Sequence, residues 1–232
     1  ADDAGFASIW VMDHFFQIRG LGPPEAPMLE GMTALGFIAA NTERARIGLM
    51  VGGIHYRRPG LWIKATTTLD VLSGGRAWFG IGAAWNVFES KGLGFEFPPI
   101  KERFEWLEDT LRMAHEMWSG GSGTHGTFDG RHVTATHLIN SPQSISKPRV
   151  PILVGGGGER KTLRLVAQYA DRVSRLGNLY GDVPRVSVSA GKQPTDSVAV
   201  ETGAPLLLPS LRNLLLQGQD GDAPILVDAL VD

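Results

Sequence analysis

Apolar residues along this chain alternate between two rhythms. Ser8 to Met12, Ala45 to Val51, Ala77 to Ile81 and Val150 to Val154 are short apolar runs of the kind that fills strands buried on both faces, and Asp171 to Arg175 predicts a fifth. Between them the spacing is three and four. Met28, Met32, Leu35 and Ala39 share a helical face over Met28 to Asn41, and Leu61, Ala65, Leu69 and Leu72 share one over Gly60 to Ser73. Phe104, Leu107, Leu111, Ala114 and Trp118 make the longest stripe, over Lys101 to Trp118, with Glu108 and Arg112 spaced as an i,i+4 pair. Gly5 closes an opening turn of helix, Gly52-Gly53 ends the second strand at a kink, and Pro59 and Gly74-Gly75 bracket the second helix.

Strand, helix, strand repeated in this way predicts parallel strands joined by crossover helices. Gly120 to Asn140 leaves the rhythm, and FDGRH, centred on Asp129-Gly130, predicts a hairpin insertion. After Asp182 the alternation stops, so residues 183–232 read as a divergent segment set apart from 1–182. Five strands against the eight that close an α/β barrel leave two open edges, and the chain is expected to self-associate as a homo-oligomer unless 183–232 supply strands.

Composition narrows the partners. Of 232 residues, 43% are hydrophobic and 20% charged, the balance of an ordinary globular domain, and 22 Lys plus Arg against 24 Asp plus Glu give a net charge of -2. No global field recommends nucleic acid or an anionic membrane. There is no cysteine, which excludes thiolate chemistry and fits a reducing, cytoplasmic setting. No apolar run is long enough for a membrane helix, and the opening Ala1-Asp2-Asp3 reads as an interior start, without a basic region leading into an apolar one.

Chemistry gathers at the strand ends. Asp13-His14 follow the first strand; read alone, they are a turn residue and a satisfied structural histidine. Arg57 and Arg58, beyond the kink, are solvated surface or a grip for an acidic ligand. His115-Glu116 is no zinc helix, because Ser119 stands where the second histidine belongs, and the chain offers no trusted metal site. Gly155, Gly156, Gly157 and Gly158 lie between a strand and a helix predicted over Glu159 to Tyr169, with Leu163, Val166 and Ala167 inward. Bare amides and a helix N-terminus there predict a phosphate cradle. It is neither a P-loop nor a dinucleotide fingerprint, since Arg160 occupies the glycine position that each requires, and Gly80-Ile81-Gly82 fails at Trp85.

Four blocks in this order, SIWVMDHFFQI, ARIGLMVGGIHYRRPGLWIKATTTLDVLSGGRAWFGIGAAWN, FPPIKERFEWLEDTL and ILVGGGGERKTLRLVAQYAD, resemble the luciferase-like flavin and deazaflavin oxidoreductases, in particular their coenzyme F420-dependent branch. The likeness runs from Ala4 to Asp182, fading through Asn178-Leu179-Tyr180. It implies an α/β fold, a TIM-type (β/α)8 barrel of the luciferase-like kind, incomplete, with the first strand missing and the C-terminal βα units out of pattern. It also implies hydride transfer between F420 and a small organic substrate. His14 is the expected catalytic proton carrier beside the ring, with Asp13 next to it. A non-proline cis peptide is implied at Met50-Val51, backing the ring with Gly52, while Gly82, Ala83 and Ala84 let the ring lie against backbone and Gly155 to Gly158 hold its phosphate. Sugar-oxidising relatives use a glutamate near Trp85; the resemblance does not supply one here, and Glu89 reads as a surface helix residue. Two other readings stay open: an FMN-dependent monooxygenase served by a partner flavin reductase, and a flavin-binding protein or inactive fragment without catalysis.

Overall fold

The computed structural model describes residues 1–120, 126–156, 158 and 161–174, together with the backbone of 185–188 and 200–203. Its elements in chain order are β1 (Ser8–Val11), α1 (Gly31–Ala40), β2 (Arg46–Leu49), β3 (Gly52–Gly53), α2 (Pro59–Leu72), β4 (Ala77–Gly82), α3 (Val87–Gly92) and α4 (Ile100–Ser119). Then follow β5 (Phe128–Asp129), β6 (Thr134–Ala135), β7 (Ile152–Gly155), α5 (Thr162–Tyr169), β8 (Arg172–Ser174), β9 (Arg185–Val188) and β10 (Val200–Gly203).

The sheet order is β1-β2-β4-β7-β8, all parallel, with the short β3 also paired to β4. Each main strand therefore lies beside its predecessor, as in an α/β barrel, and the described residues supply five of that fold's parallel strands. The hairpin expected near Asp129-Gly130 is the antiparallel pair β5 and β6. Beyond residue 182 the described backbone is one further antiparallel pair, β9 with β10.

Alternation along the strands sorts the core into two compartments. Ile9, Val11, Ile47, Leu49, Phe79, Ile81, Ile152 and Val154 pack with the helices, whereas Trp10, Trp78 and Leu153 form a separate cluster with Met50 and Val51. At the centre of the helix side Phe79 meets Trp62 of α2 and Trp118 of α4, with ring centroids 5.1 and 5.5 Å away. The α4 stripe is buried along Leu107, Leu111, Ala114 and Trp118.

The buried face of α2 is not the leucine stripe that spacing predicts. Leu61 and Leu72 are 66% and 74% exposed, while Trp62, Ile63, Thr66, Thr67, Leu69 and Asp70 are buried. Thr66 and Thr67 can lie inside because each hydroxyl donates to the carbonyl one turn back, and Thr67 also accepts from Trp118 Nε1. Asp70 accepts the amides of Ile145 and Ser146, tying the 140–148 segment to the helix. Likewise α5 begins at Thr162 rather than Glu159 and buries Leu165 and Val166, leaving Leu163 and Ala167 exposed. Glu108 bonds Arg164 of α5 and Arg112 pairs with Asp109, so the expected i,i+4 pair gives way to a contact between helices.

Two glycines with opposite surroundings test the packing. A Cβ on Gly80 would stand 1.7 Å from the carbonyl oxygen of Leu49, which belongs to the paired backbone, whereas a Cβ on Gly36 in α1 meets nothing within 4 Å. Gly80→Ala should therefore lose about 3 kcal/mol or more of stability. Gly36→Ala should gain roughly 0.5–1 kcal/mol from helix propensity. Denaturant titration of both variants reads the contrast.

Candidate active site

The C-terminal ends of β1, β2, β4 and β7 open into one cavity of about 560 Å³. It is lined by Asp13, His14, Met50, Val51, Gly52, Gly82, Ala83, Ala84, Gly155, Gly156 and Gly158, so the expected site residues from four separate chain segments meet there. Gly157, Glu159, Arg160 and residues 178–182 lie outside the described residues.

The floor is a bed with no room for side chains. The Met50–Val51 peptide is cis, and the chain runs from it directly into β3, whose Gly52 and Gly53 pair with Ile81 and Gly82. A Cβ on Gly155 would come within 2.4 Å of Val51 Cγ2, and one on Gly82 within 2.9 Å. Glycine at both positions lets three strand ends close around Val51. Ala84 continues the bed with φ +60, a left-handed conformation uncommon for alanine, and Arg103 of α4 donates to the carbonyls of Ala83 and Ala84 at 2.6 and 2.5 Å.

Asp13 is structural in its contacts. Its carboxylate takes both Arg57 guanidinium nitrogens at 2.7 Å and the Gly53 amide at 3.0 Å. Arg57 also reaches Glu30 at 2.5 Å, which caps α1 through the amides of Met32 and Thr33. Arg57 is therefore neither a solvated surface residue nor a free grip for a ligand, while Arg58 is exposed ahead of α2. Burial pushes the Asp13 carboxyl up against the pull of Arg57; Arg57, which burial would lower, is raised by Asp13 and Glu30. Burial also works to raise Glu30, but the bonds from Thr33 and Arg57 bring it down to about 2.

Glu89 corrects the sequence reading most sharply. Expected at the surface, it is 0% exposed, and its carboxylate lies 2.7 Å from His14 Nδ1 while accepting the amides of Phe15 and Phe16 and the side chain of Asn86. Burial would raise this carboxyl, and those partners, His14 first, hold it below the ordinary range. An ionised carboxylate only accepts, so the proton between the two sits on His14 Nδ1 and Nε2 is the nitrogen left for a ligand. Asn-x-x-Glu at 86–89 has the spacing of a capping box, and Asn86 does cap α3 by accepting the Glu89 amide. That spacing marked a helix start; no local feature revealed that Glu89 would turn back to β1. Thr162, Tyr56 and Phe104 also line the cavity without having been singled out for it, and the Thr162 hydroxyl is buried with no partner among the described residues.

The chain matches the luciferase-like monooxygenase model over residues 1–176. It belongs to that family. The luciferase-like chain is 30% identical over 173 residues to an F420-dependent glucose-6-phosphate dehydrogenase of Amycolatopsis mediterranei, covering 74% of this chain and 48% of the relative. It thus spans about half the length of the curated relatives it matches. Its fold is similar to that of an F420-dependent secondary alcohol dehydrogenase in complex with an F420-acetone adduct, with TM-score 0.65, 22% identity, and coverage of 75% and 50% of the two chains. A riboflavin lyase with modified FMN superposes with TM-score 0.64 at 14% identity, covering 74% and 44%. No described helix is long and apolar enough to cross a membrane.

Behind this luciferase-like site lies a buried histidine with a measurable consequence. His55 is 8% exposed among Tyr56, Phe95 and Phe97, bonds Ser90 through Nε2 at 2.7 Å, and has no described partner for Nδ1. Burial, with the charge of Arg103, lowers it from 6.5 to about 4. A lowered histidine favours the folded state fully above its unfolded pKa, and that contribution drains away as pH falls from 6.5 towards 4. Titrating stability against pH should reveal an acid loss on the order of 2–3 kcal/mol in this window that His55→Gln lacks. The Glu30 contribution has the same sign but fades between about 4.5 and 2, so the two separate by pH.

Proposed function

We propose that this chain carries the cofactor half of an F420-dependent oxidoreductase that moves a hydride between the deazaflavin and a small organic substrate. The observation that carries the reading is the juxtaposition, in one cavity, of a flat glycine-lined bed and an imidazole whose outer nitrogen is left for a ligand. The F420-dependent dehydrogenases to which the chain is 30% identical support the same cofactor.

The residues fit F420, a flat tricyclic ring with a phosphate-bearing tail, on two counts. Val51 against Gly82 and Gly155 makes a bed where any Cβ would intrude, and Thr162 offers a buried hydroxyl in need of a partner at the far end. Met50, Val51, Gly52, Gly82, Ala83 and Ala84 would carry the ring. Gly156 already donates its amide to Ser174 at 3.0 Å, and Gly155 is packed on Val51. The phosphate would therefore rest on Gly158, Thr162 and the α5 N-terminus rather than on four equivalent glycines.

When bound, F420 supplies the ring carbon that accepts or returns the hydride. His14 Nε2 takes the proton of the substrate hydroxyl, or gives it back to a carbonyl oxygen. Glu89 holds the tautomer and stabilises the imidazolium; Asp13 and Arg57 fix the β1 end relative to the bed. No flavin reductase is required on this reading, and the setting is the reducing cytoplasm that a cysteine-free chain suits.

Fluorescence titration with F420 and with FMN tests the cofactor; preference for FMN would replace this reading with the monooxygenase one. His14→Ala should keep F420 affinity within a few fold and slow turnover by ~10²-fold or more. In Glu89→Gln an amide can present a donor to Nδ1 and force the wrong tautomer, so kcat should fall by ~10²-fold with KM nearly unchanged. Full activity in either variant removes that residue from the mechanism.

A further inference from the structure

We infer that a second cavity, outside the strand-end site, binds a small organic cation of the quaternary or tertiary ammonium class. The inference does not rest on the F420 reading.

This cavity, of about 410 Å³, is lined by Phe15 and Phe16 just after β1, by Pro24, Glu25 and Pro27 further along the same loop, and by Phe88 in the first turn of α3. It shares no lining residue with the strand-end cavity.

Its aromatic wall is fixed from behind. Phe16 lies over α3, where a Cβ on Gly92 would stand 2.9 Å from the Phe16 Cε2, and its ring meets that of Phe88 at a centroid distance of 5.9 Å and an angle of 62°. Phe15 stacks on Phe95 at 5.5 Å, and the amides of Phe15 and Phe16 both donate to the buried Glu89. The opposite wall is closed on itself. The Gln17 amide donates to the Pro24 carbonyl at 3.3 Å and the Ala26 amide to the Pro23 carbonyl at 3.0 Å, while the proline rings restrict the backbone. The pocket is therefore formed before any ligand arrives, yet Phe88 stays 64% exposed and offers its ring to one.

Charge selects the occupant. Glu25 is an exposed carboxylate with no hydrogen bond or ion pair among the described residues, and no Lys, Arg or His lines the cavity. An aromatic face is negative at its centre, so the phenylalanine rings and the carboxylate together attract a cation and repel an anion. A neutral apolar ligand would take water from Glu25 and give it nothing in return.

The acceptors decide which cation. Beyond Glu25 the lining side chains carry no oxygen or nitrogen, and the Pro24 carbonyl is already taken by Gln17. Primary ammonium and guanidinium groups bring several donors each, and most of these would leave water without a partner. A quaternary ammonium brings no donor at all, and a tertiary one brings a single N–H that Glu25 can accept. Its alkyl groups then rest against the rings, where the charge is felt without a hydrogen bond.

The test titrates the 232-residue chain by calorimetry with choline and with neohexanol, the neutral isostere in which carbon replaces the nitrogen. Choline should bind saturably and at least ~10-fold more tightly than neohexanol or methylammonium. Phe88→Leu keeps an apolar body and removes the ring; it should weaken choline by ~3-fold or more and leave neohexanol unchanged. Glu25→Gln should do the same, and added salt should weaken choline in the parent chain but much less in this variant. Both substitutions are at exposed positions, and unchanged thermal transitions show that the variants fold. Neohexanol or methylammonium binding as tightly as choline, the absence of saturable choline binding, or choline affinity indifferent to both variants overturns the inference. Choline binding by a chain that binds no F420 would sink only the cofactor reading and leave this site standing.

Discussion

The bidentate pair between Asp13 and Arg57 is the contact on which the site's geometry depends. It ties the end of β1 to the loop ahead of α2, and through Glu30 to the first turn of α1, while the same Asp13 carboxylate holds the Gly53 amide beside the cis peptide. A buried ion pair is a poor source of net stability, because taking both charges out of water costs nearly as much as their attraction returns. Its value here is position. Removing one partner would strand a buried charge at a cost of about 3–5 kcal/mol, so the three elements cannot drift apart a little at a time.

Two carboxylates flank the same two-residue corner and are treated differently. Asp13 is held by a guanidinium and the Gly53 amide, whereas Glu89 is held by the His14 imidazole and three N–H donors. Asp13 and His14, adjacent just beyond β1, thereby receive different partners, a guanidinium and a carboxylate. Sequence proximity gave no hint of the division, which is made by partners 44 and 75 residues away.

What could be read in the sequence was whatever local physics dictates. The strands, the long α4 stripe and the hairpin follow from periodicity and turn residues, and the expected site residues sit at strand ends because parallel α/β sheets put their chemistry there. The buried face of α2 was not legible, since Thr66 and Thr67 enter the core by satisfying their hydroxyls within the helix, a compensation that hydropathy ignores. Nor were Arg57 and Glu89, because a charged side chain reads as solvated until its distant partner is known. The glycine run misled for a related reason: four identical residues suggest four identical tasks, yet Gly155 packs on Val51 and Gly156 bonds Ser174.

The division of the apolar residues into a helix-side core and a separate Trp10, Trp78 and Leu153 cluster has a consequence for how such a chain can change over time. Substitutions among Phe79, Trp62 and Trp118 alter how firmly the scaffold holds, and those around Leu21, Trp85 and Ile100 alter what the cavity admits. Phe79 and Trp118 belong to the helix-side cluster while Leu21, Trp85 and Ile100 line the cavity, so effects at pairs that do not touch should combine almost additively. Lineages that drift in ligand preference need not first acquire a tougher scaffold, and a scaffold hardened for heat need not forfeit its ligand.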